Sequence, residues 1–397
     1  MKIRILILAV LSGGFVASCG GSEDAGQTSQ HRGVTADTIT VGIHTDMSGQ
    51  LAIWGVPSVH GMRMRFKELA DAGGVHGRTI ELVAEDSQYQ VPAAVKATNK
   101  LLNVDDVFVM LGALGTPHNN AVIDSVLEAG VPNLFPLTAA VSMYEPLHPM
   151  KFSYFVSYRE QTRGGIRFFV EQHDVSRVCL QTLATDYGAE VEIGFNLAAE
   201  EYGLDVVYVG RHKGSETDFA GTVTSIKNSG CELLFLGPFI KDAILIYTSA
   251  RDAGWDGIIA GNMVPYVPEV AKAADGRMEG FYASAPFLFP DFETTVDDEW
   301  VASWYASYVE EFGTEPAAQS VIGYVMADLL VIALEAAGPD PTAEKLVKAL
   351  EGISHYDDPF GGPSLSFSAH KHMGGNALNL YQVQDRKWVT VAESLPY

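Results

Sequence analysis

Cysteine is almost missing from this chain: three residues in 397, at positions 19, 179 and 231. That number and spacing exclude a zinc ribbon or a disulfide-stapled miniature fold, so stability must come from an apolar core. Positive charge is scarce as well, with 26 Lys and Arg against 49 Asp and Glu and a net charge of −23. No basic stripe interrupts that excess, which argues against nucleic acid as a partner; the acidity reads as solubility and weak self-repulsion. There is no Gly-x-Ser-x-Gly elbow and no Walker-type phosphate loop. His370 and His372 with His355 lack a third ligand at defined spacing, so neither a metal nor any other cofactor is expected. Asp357-Asp358, in a Pro- and Gly-rich stretch, reads as solvated surface. Past the first 18 residues, no stretch reads as long and apolar enough to cross a membrane.

The rest of the composition is that of an ordinary globular protein. Apolar residues make up 47% of the chain and charged ones 19%, and the length suits two lobes better than one core. Residues 1–18 stand apart. Lys2 and Arg4 precede an apolar run at 5–11, then Ser12-Gly13-Gly14, then Val16-Ala17-Ser18 before Cys19. A charged start, an apolar run too short to span a bilayer, and small residues before a cysteine match a bacterial lipobox. They predict a lipoprotein signal peptide at 1–18 and lipid on Cys19, with a plain secretory signal or a short anchor helix as the competing readings. Residues 19–37 would then be a polar tether, 22–33 carrying almost no apolar side chain. In an oxidising compartment Cys179 and Cys231 either pair or stay as buried free thiols, and spacing decides neither.

Residues 39–55, ITVGIHTDMSGQLAIWG, open the first βα unit of the chain. β-formers lead to Thr45-Asp46, Ser48-Gly49 turn the chain, and an amphipathic helix is predicted over 57–71. The order repeats with strand 78–85, helix 91–103 with Pro92 in its first turn, strand 107–112, helix 118–129 and strand 131–137. Residues 138–158, with Pro146, Pro149 and the aromatics Phe152, Tyr154, Phe155 and Tyr158, break the rhythm and read as a first crossing between lobes. A second series runs through helix 161–172, strand 177–183, helix 189–202, strand 204–209, helix 219–228, strand 232–237, helix 243–253 and strand 257–261. Residues 281–291 would be a second crossing. Helices 296–311, 317–337 and 342–351, the last capped by Thr342, return to the first lobe. The tail 360–391 holds a third crossing and β-like runs at 380–384 and 387–391. The alternation predicts an α/β fold of doubly wound parallel sheets, with lobe 1 from 38–152 plus 286–352 and lobe 2 from 153–285 plus 353–397.

In open α/β sheets ligands bind beyond the carboxyl ends of the strands, which makes the strand-end loops the candidate site. In lobe 1 these are 45–55, with Ser48 and Trp54; 112–117, with Ala113, Gly115 and Thr116; and 136–140, with Leu137, Thr138 and Ala139. Backbone N–H groups at a helix beginning near Pro117 suit a carboxylate or another anionic oxygen, although Thr116 also fits an ordinary helix cap. Trp54 offers an aromatic wall or a core side chain. Tyr89 fits a cleft or a surface loop equally. In lobe 2, Tyr187 follows strand 177–183, and the loop 238–242 carries Phe239 with Lys241 and Asp242 at a helix start.

Asp46-Met47-Ser48-Gly49 with Trp54-Gly55 is followed in order by Gly73-Gly74-Val75 with Gly77-Arg78, then Glu85-Asp86-Ser87, Tyr187-Gly188, Asp218-Phe219 and Phe360-Gly361-Gly362-Pro363. The ordered set resembles the leucine/isoleucine/valine-binding proteins of bacterial ABC importers, from residue 39 to the C-terminus. The resemblance implies a type I periplasmic binding fold: two Rossmann-like lobes, three crossover hinge segments, and a cleft that closes on ligand by hinge motion. It implies docking of the loaded form on an ABC permease; a monomer is expected. Thr116 and Thr138 match the positions that hold the ligand carboxylate, and Tyr187 the aromatic cover. There is one departure. Amino-acid binders of the family carry an acid near the loop 260–266 that pairs with the ligand ammonium, and here the loop reads AGNMVPY with no carboxylate before Glu269. A buried ammonium without a charged partner is costly. Asn262 and Met263 therefore point to a neutral or apolar group, and the ligand to an aromatic or aliphatic carboxylate or an amide; an amino-acid-like ligand stays open as the alternative, with Asp242 supplying the acid. The expected function is an extracytoplasmic solute-binding lipoprotein serving an ABC importer. A sensory receptor of the same fold and a hydrolase are the alternatives, the latter without an assembled nucleophile.

Overall fold

The computed structural model describes residues 31–290, 292 and 298–397, so the leader and Cys19 lie outside the described residues. In the first lobe β1 (Thr38–Thr45), α1 (Ala52–Asp71), β2 (Thr79–Asp86), α2 (Val91–Asn103), β3 (Val109–Leu111), α3 (Thr116–Glu128), β4 (Asn133–Leu134) and β5 (Lys151–Phe152) follow one another. The five strands form one parallel sheet in the order β2-β1-β3-β4-β5. The chain then passes to the second lobe. There α4 (Tyr158–His173), β6 (Arg177–Leu183), α5 (Asp186–Tyr202), β7 (Asp205–His212), α6 (Ala220–Ser229), β8 (Leu233–Gly237), α7 (Ile240–Asp252), β9 (Ile258–Gly261), α8 (Pro268–Lys272) and β10 (Tyr282–Ala285) form the second α/β unit. It returns to pack α9 (Glu299–Phe312), α10 (Ala318–Ala337) and α11 (Ala343–Glu351) against the first lobe, α10 lying along α1. A third crossing brings back β11 (Asn379–Gln384) and β12 (Lys387–Ala392), an antiparallel hairpin on the edge of a seven-stranded sheet, β12-β11-β10-β9-β8-β6-β7. Two Rossmann-like lobes joined by three crossings are the type I architecture.

Several elements differ from the sequence expectation for identifiable reasons. α1 starts at Ala52 rather than at Pro57, because the Asp46 carboxylate accepts the backbone N–H groups of Ser48, Gly49 and Leu51 and winds the chain early. Pro57 is thereby carried inside the helix. β4 keeps two residues of the predicted 131–137, since Phe135 has a φ of +51° and Pro136 follows. β5 lies within the first predicted crossing and β10 within the second. Both are true sheet strands, so each crossing begins after its strand. Contrary to expectation, α10 has the length and apolarity of a membrane span; it is a mostly buried core helix packed on α1. Cys179 in β6 and Cys231, just ahead of β8, form a disulfide with Cα atoms 6.0 Å apart.

Asp358 is also not the solvated residue expected. Burial pushes its carboxyl up to about 6, opposed by the Phe360 N–H and reinforced by the nearby charge of Asp328. Between roughly pH 4 and 6 the folded chain therefore holds a proton that the unfolded chain has released, so stability falls as pH rises through that window. Asp358→Asn is expected to stabilise the protein by about 2 kcal/mol above pH 6 and by little at pH 4. Urea melts at pH 4 and pH 7 check this, and a gain equal at both values would contradict it.

Candidate ligand cleft

The cleft is built from strand-end loops of both sheets. After β1, Asp46 and Asp86 shape the first loop. Asp86 accepts the Met47 N–H at 2.9 Å and the Ser48 hydroxyl at 2.6 Å. Burial pushes the Asp86 carboxyl up, but these hydrogen bonds outweigh it and leave its pKa below the usual value. Trp54 then falls in the first turn of α1 and is 3% exposed. Gly55 lets the helix approach the loop: a Cβ there would stand 1.9 Å from the Asp46 carbonyl oxygen. Tyr89, after β2, has a φ of +51°, which turns its ring onto His118 with centroids 4.3 Å apart.

After β3, Gly115 at a φ of +98° is the N-cap of α3, and Asn119 donates from its side chain to the Ala113 and Gly115 carbonyls. The first backbone bond of α3 runs from Asn119 N to Gly115 O, so the Thr116 and His118 N–H groups precede it at the positive end of the helix. The Thr116 and Thr138 hydroxyls are 2.7 Å apart, with the Tyr158 hydroxyl against the same pair.

In the second lobe, Tyr187 sits in the first turn of α5, whose N-cap is Thr185. Its hydroxyl donates to Asn262 Oδ1 at 3.0 Å, as does the Val264 N–H. Asn262 thus ties the loop after β9 to the aromatic wall. Met263 N donates to Gln161 Oε1, and the Tyr158 and Tyr187 rings meet edge to face at 4.8 Å. Phe239, after β8, is held by Asp242, whose Oδ2 accepts the Phe239 N–H at 3.3 Å and faces His212 Nε2 at 3.2 Å. Tyr208 donates to Gln181 Oε1, so the Gln181 amide N–H₂ faces His212 Nδ1 and leaves the His212 proton on Nε2, directed at Asp242.

These walls face each other across a narrow cleft, between Leu51, Trp54, Tyr89, Leu114, Gly115, Thr116 and Leu137 on one side and Tyr158, Tyr187, Phe239, Met263 and Val264 on the other. The structure brings Trp54, Gly115, Thr116, Leu137, Tyr187, Phe239 and Met263 together there. The other candidates stand elsewhere. Ser48 is exposed and bonded to Asp86 in a polar hollow outside the cleft. Ala113, Thr138, Ala139 and Asn262 are buried behind the lining, where they fix its backbone and hydroxyls. Asp242 is fully buried on His212 and does not line the cleft, so it does not replace the acid missing from the loop after β9. Tyr158 and Leu114 were legible only as part of an aromatic crossing and a Gly-rich loop.

Among the described residues, no side chain lining the cleft carries a charge. Burial holds Tyr158 up to about 12 and keeps Tyr187 and Tyr89 well above the usual phenol range, so all three remain hydroxyl donors. Burial also depresses His118 and takes His44 down to about 3, which leaves both imidazoles neutral at pH 7. The buried Trp54 indole N–H has no hydrogen-bond acceptor among the described residues. The site is thus an aromatic slot with neutral donors and the positive end of α3.

A family model described as periplasmic binding protein matches residues 38–387. The chain is 23% identical over 257 residues to the leucine-, isoleucine-, valine-, threonine- and alanine-binding protein of Pseudomonas aeruginosa, covering 64% of this chain and 68% of that one. In fold it is similar to a fatty acid ABC transporter substrate-binding protein from Thermomonospora curvata, with a TM-score of 0.82 at 22% identity over 93% of this chain and 97% of that one. It is also similar to an ABC transporter solute-binding protein from R. palustris in complex with benzoate, with a TM-score of 0.78 at 18% identity over 90% and 97%. The chain belongs to the periplasmic binding protein family, in the type I group that includes the leucine/isoleucine/valine-binding proteins; it is an extracytoplasmic solute-binding protein and not an enzyme.

Proposed function

We propose that the protein captures a small, largely apolar organic carboxylate and delivers it to an ABC importer, held at the membrane by lipid on Cys19. The observation that carries this reading is that, among the described residues, no charged side chain lines the cleft. An amino acid would bury its ammonium without a carboxylate, a cost of several kcal/mol. A carboxylate, by contrast, has the Thr116 and Tyr158 hydroxyls and the amino end of α3 to receive it. The aromatic faces of Trp54, Tyr187 and Phe239 suit an aryl or branched alkyl remainder. The benzoate-bound relative and the fatty acid relative are consistent with this choice, whereas the P. aeruginosa relative favours amino acids.

Thermal-shift and calorimetric titration against benzoate, phenylpropionate, isovalerate, benzamide, leucine and valine tests the proposal. One or more of the amine-free acids should raise the melting temperature saturably, with micromolar affinity corresponding to about −8 kcal/mol. Micromolar binding of leucine or valine with no response to the acids would overturn it.

A further inference from the structure

We propose that Asn120 and Asp186 form a latch that sets how far the two cleft walls stand apart, independently of what the cleft holds. Asn120 lies one turn after Thr116 on α3, and Asp186 opens α5 immediately before Tyr187. Asn120 Nδ2 donates to Asp186 Oδ2 at 2.8 Å. Ser142 Oγ donates to Asn120 Oδ1 at 2.7 Å, which fixes the amide with its N–H₂ group toward the second lobe. Each partner is therefore rigidly joined, through its own helix, to a residue that lines the cleft. Both are exposed and lie outside the lining. Across the mouth the Tyr89 and Phe239 rings also meet, 5.7 Å apart and edge-on, but that contact carries no hydrogen bond to fix an angle.

A bond made only when the lobes are together biases the open–closed balance before any ligand arrives. It also multiplies the affinity of every ligand by the same factor, because ligands act only through contacts improved on closure. Asn120 and Asp186 are positioning residues in this sense: they touch no ligand, and they hold Thr116 and Tyr187 opposite one another. The inference rests on the cleft as the binding site and is indifferent to the ligand class.

The test uses the full chain without ligand. A ketone-bearing amino acid at exposed Val104 on one lobe and exposed Leu197 on the other takes spin labels and leaves the cysteines alone. Pulsed electron paramagnetic resonance then gives the interlobe distance distribution. The parent protein should contain a short-distance, closed population. In Asn120→Ala its ratio to the open population should fall about three- to tenfold, the range for an exposed charge-assisted hydrogen bond. Asp186→Asn keeps an acceptor oxygen but not the charge, and should fall by less. Alanine is the better helix former at an exposed position, so the melting temperature of Asn120→Ala should hold and loss of the closed population is not unfolding. A parent protein with no closed population, or an Asn120→Ala distribution matching the parent's, overturns the latch. Since no ligand is present, that failure leaves the carboxylate reading untouched, and failure of the ligand panel leaves the latch standing.

Discussion

Trp54→Ala is expected to weaken binding of the best carboxylate in the panel by about a hundredfold, the scale of a buried aromatic anchor at the centre of an interface. The indole forms one wall of the cleft, in the first turn of α1, with no acceptor for its N–H among the described residues. Removing it takes away both apolar contact and a donor that a carboxylate oxygen can satisfy. The same change opens a cavity in a side chain that is 3% exposed and should cost about 3–5 kcal/mol of stability. Binding must therefore be measured by calorimetry well below the melting temperature of the variant. Trp54→Phe separates the two effects. It keeps an aromatic face, loses the N–H, and should lose about tenfold in affinity, since a hydrogen bond to a charged group contributes about 1.5–3 kcal/mol. Affinity of Trp54→Ala within twofold of the parent would remove Trp54 from the site.

Gly323→Ala should lower stability by about 2–4 kcal/mol, with a matching drop in the urea midpoint. Glycine to alanine in a solvent-facing helix normally stabilises by about 1 kcal/mol. Here the sign reverses because α1 and α10 touch backbone to backbone. A Cβ on Gly323 would lie 2.1 Å from the Ser58 carbonyl oxygen, and one on Gly61 would lie 1.9 Å from that of Ser320. Neither carbonyl is the end of a flexible side chain, so the helices must separate. Once they have, the second substitution meets less resistance, and Gly61→Ala with Gly323→Ala should cost less than the sum of the two. Because α1 carries Trp54 at its start, separation also displaces a cleft wall and should weaken binding. An unchanged urea midpoint for Gly323→Ala would refute the close approach.

The parts of the fold that were legible share one property: their signal is local. α2 and β6 fall at residues 91–103 and 177–183 as the pattern placed them, because an amphipathic period or a run of β-formers is written into neighbouring residues. β5 and β10 are two and four residues long and embedded among prolines and aromatics, too short to display any period. The start of α1 was hidden because Asp46 acts through backbone N–H groups, which every residue around it possesses.

The sequence by itself determined the alternation of strands and helices apart from β5, α8 and β10, the strand-end loops from which the cleft is built, and the lack of a carboxylate after β9. Each of these is a property of contiguous residues. Only the tertiary structure decided which side chains of those loops point inward: Thr116 lines the cleft while Thr138 stands behind it, bonded hydroxyl to hydroxyl. It also decided that Asp242 is committed to His212, thirty positions away, and that Asn120 meets Asp186 across the two lobes. Such pairings depend on how sheets and helices pack over long sequence separations, where burial and hydrogen-bond geometry select one partner among many of the same chemical type.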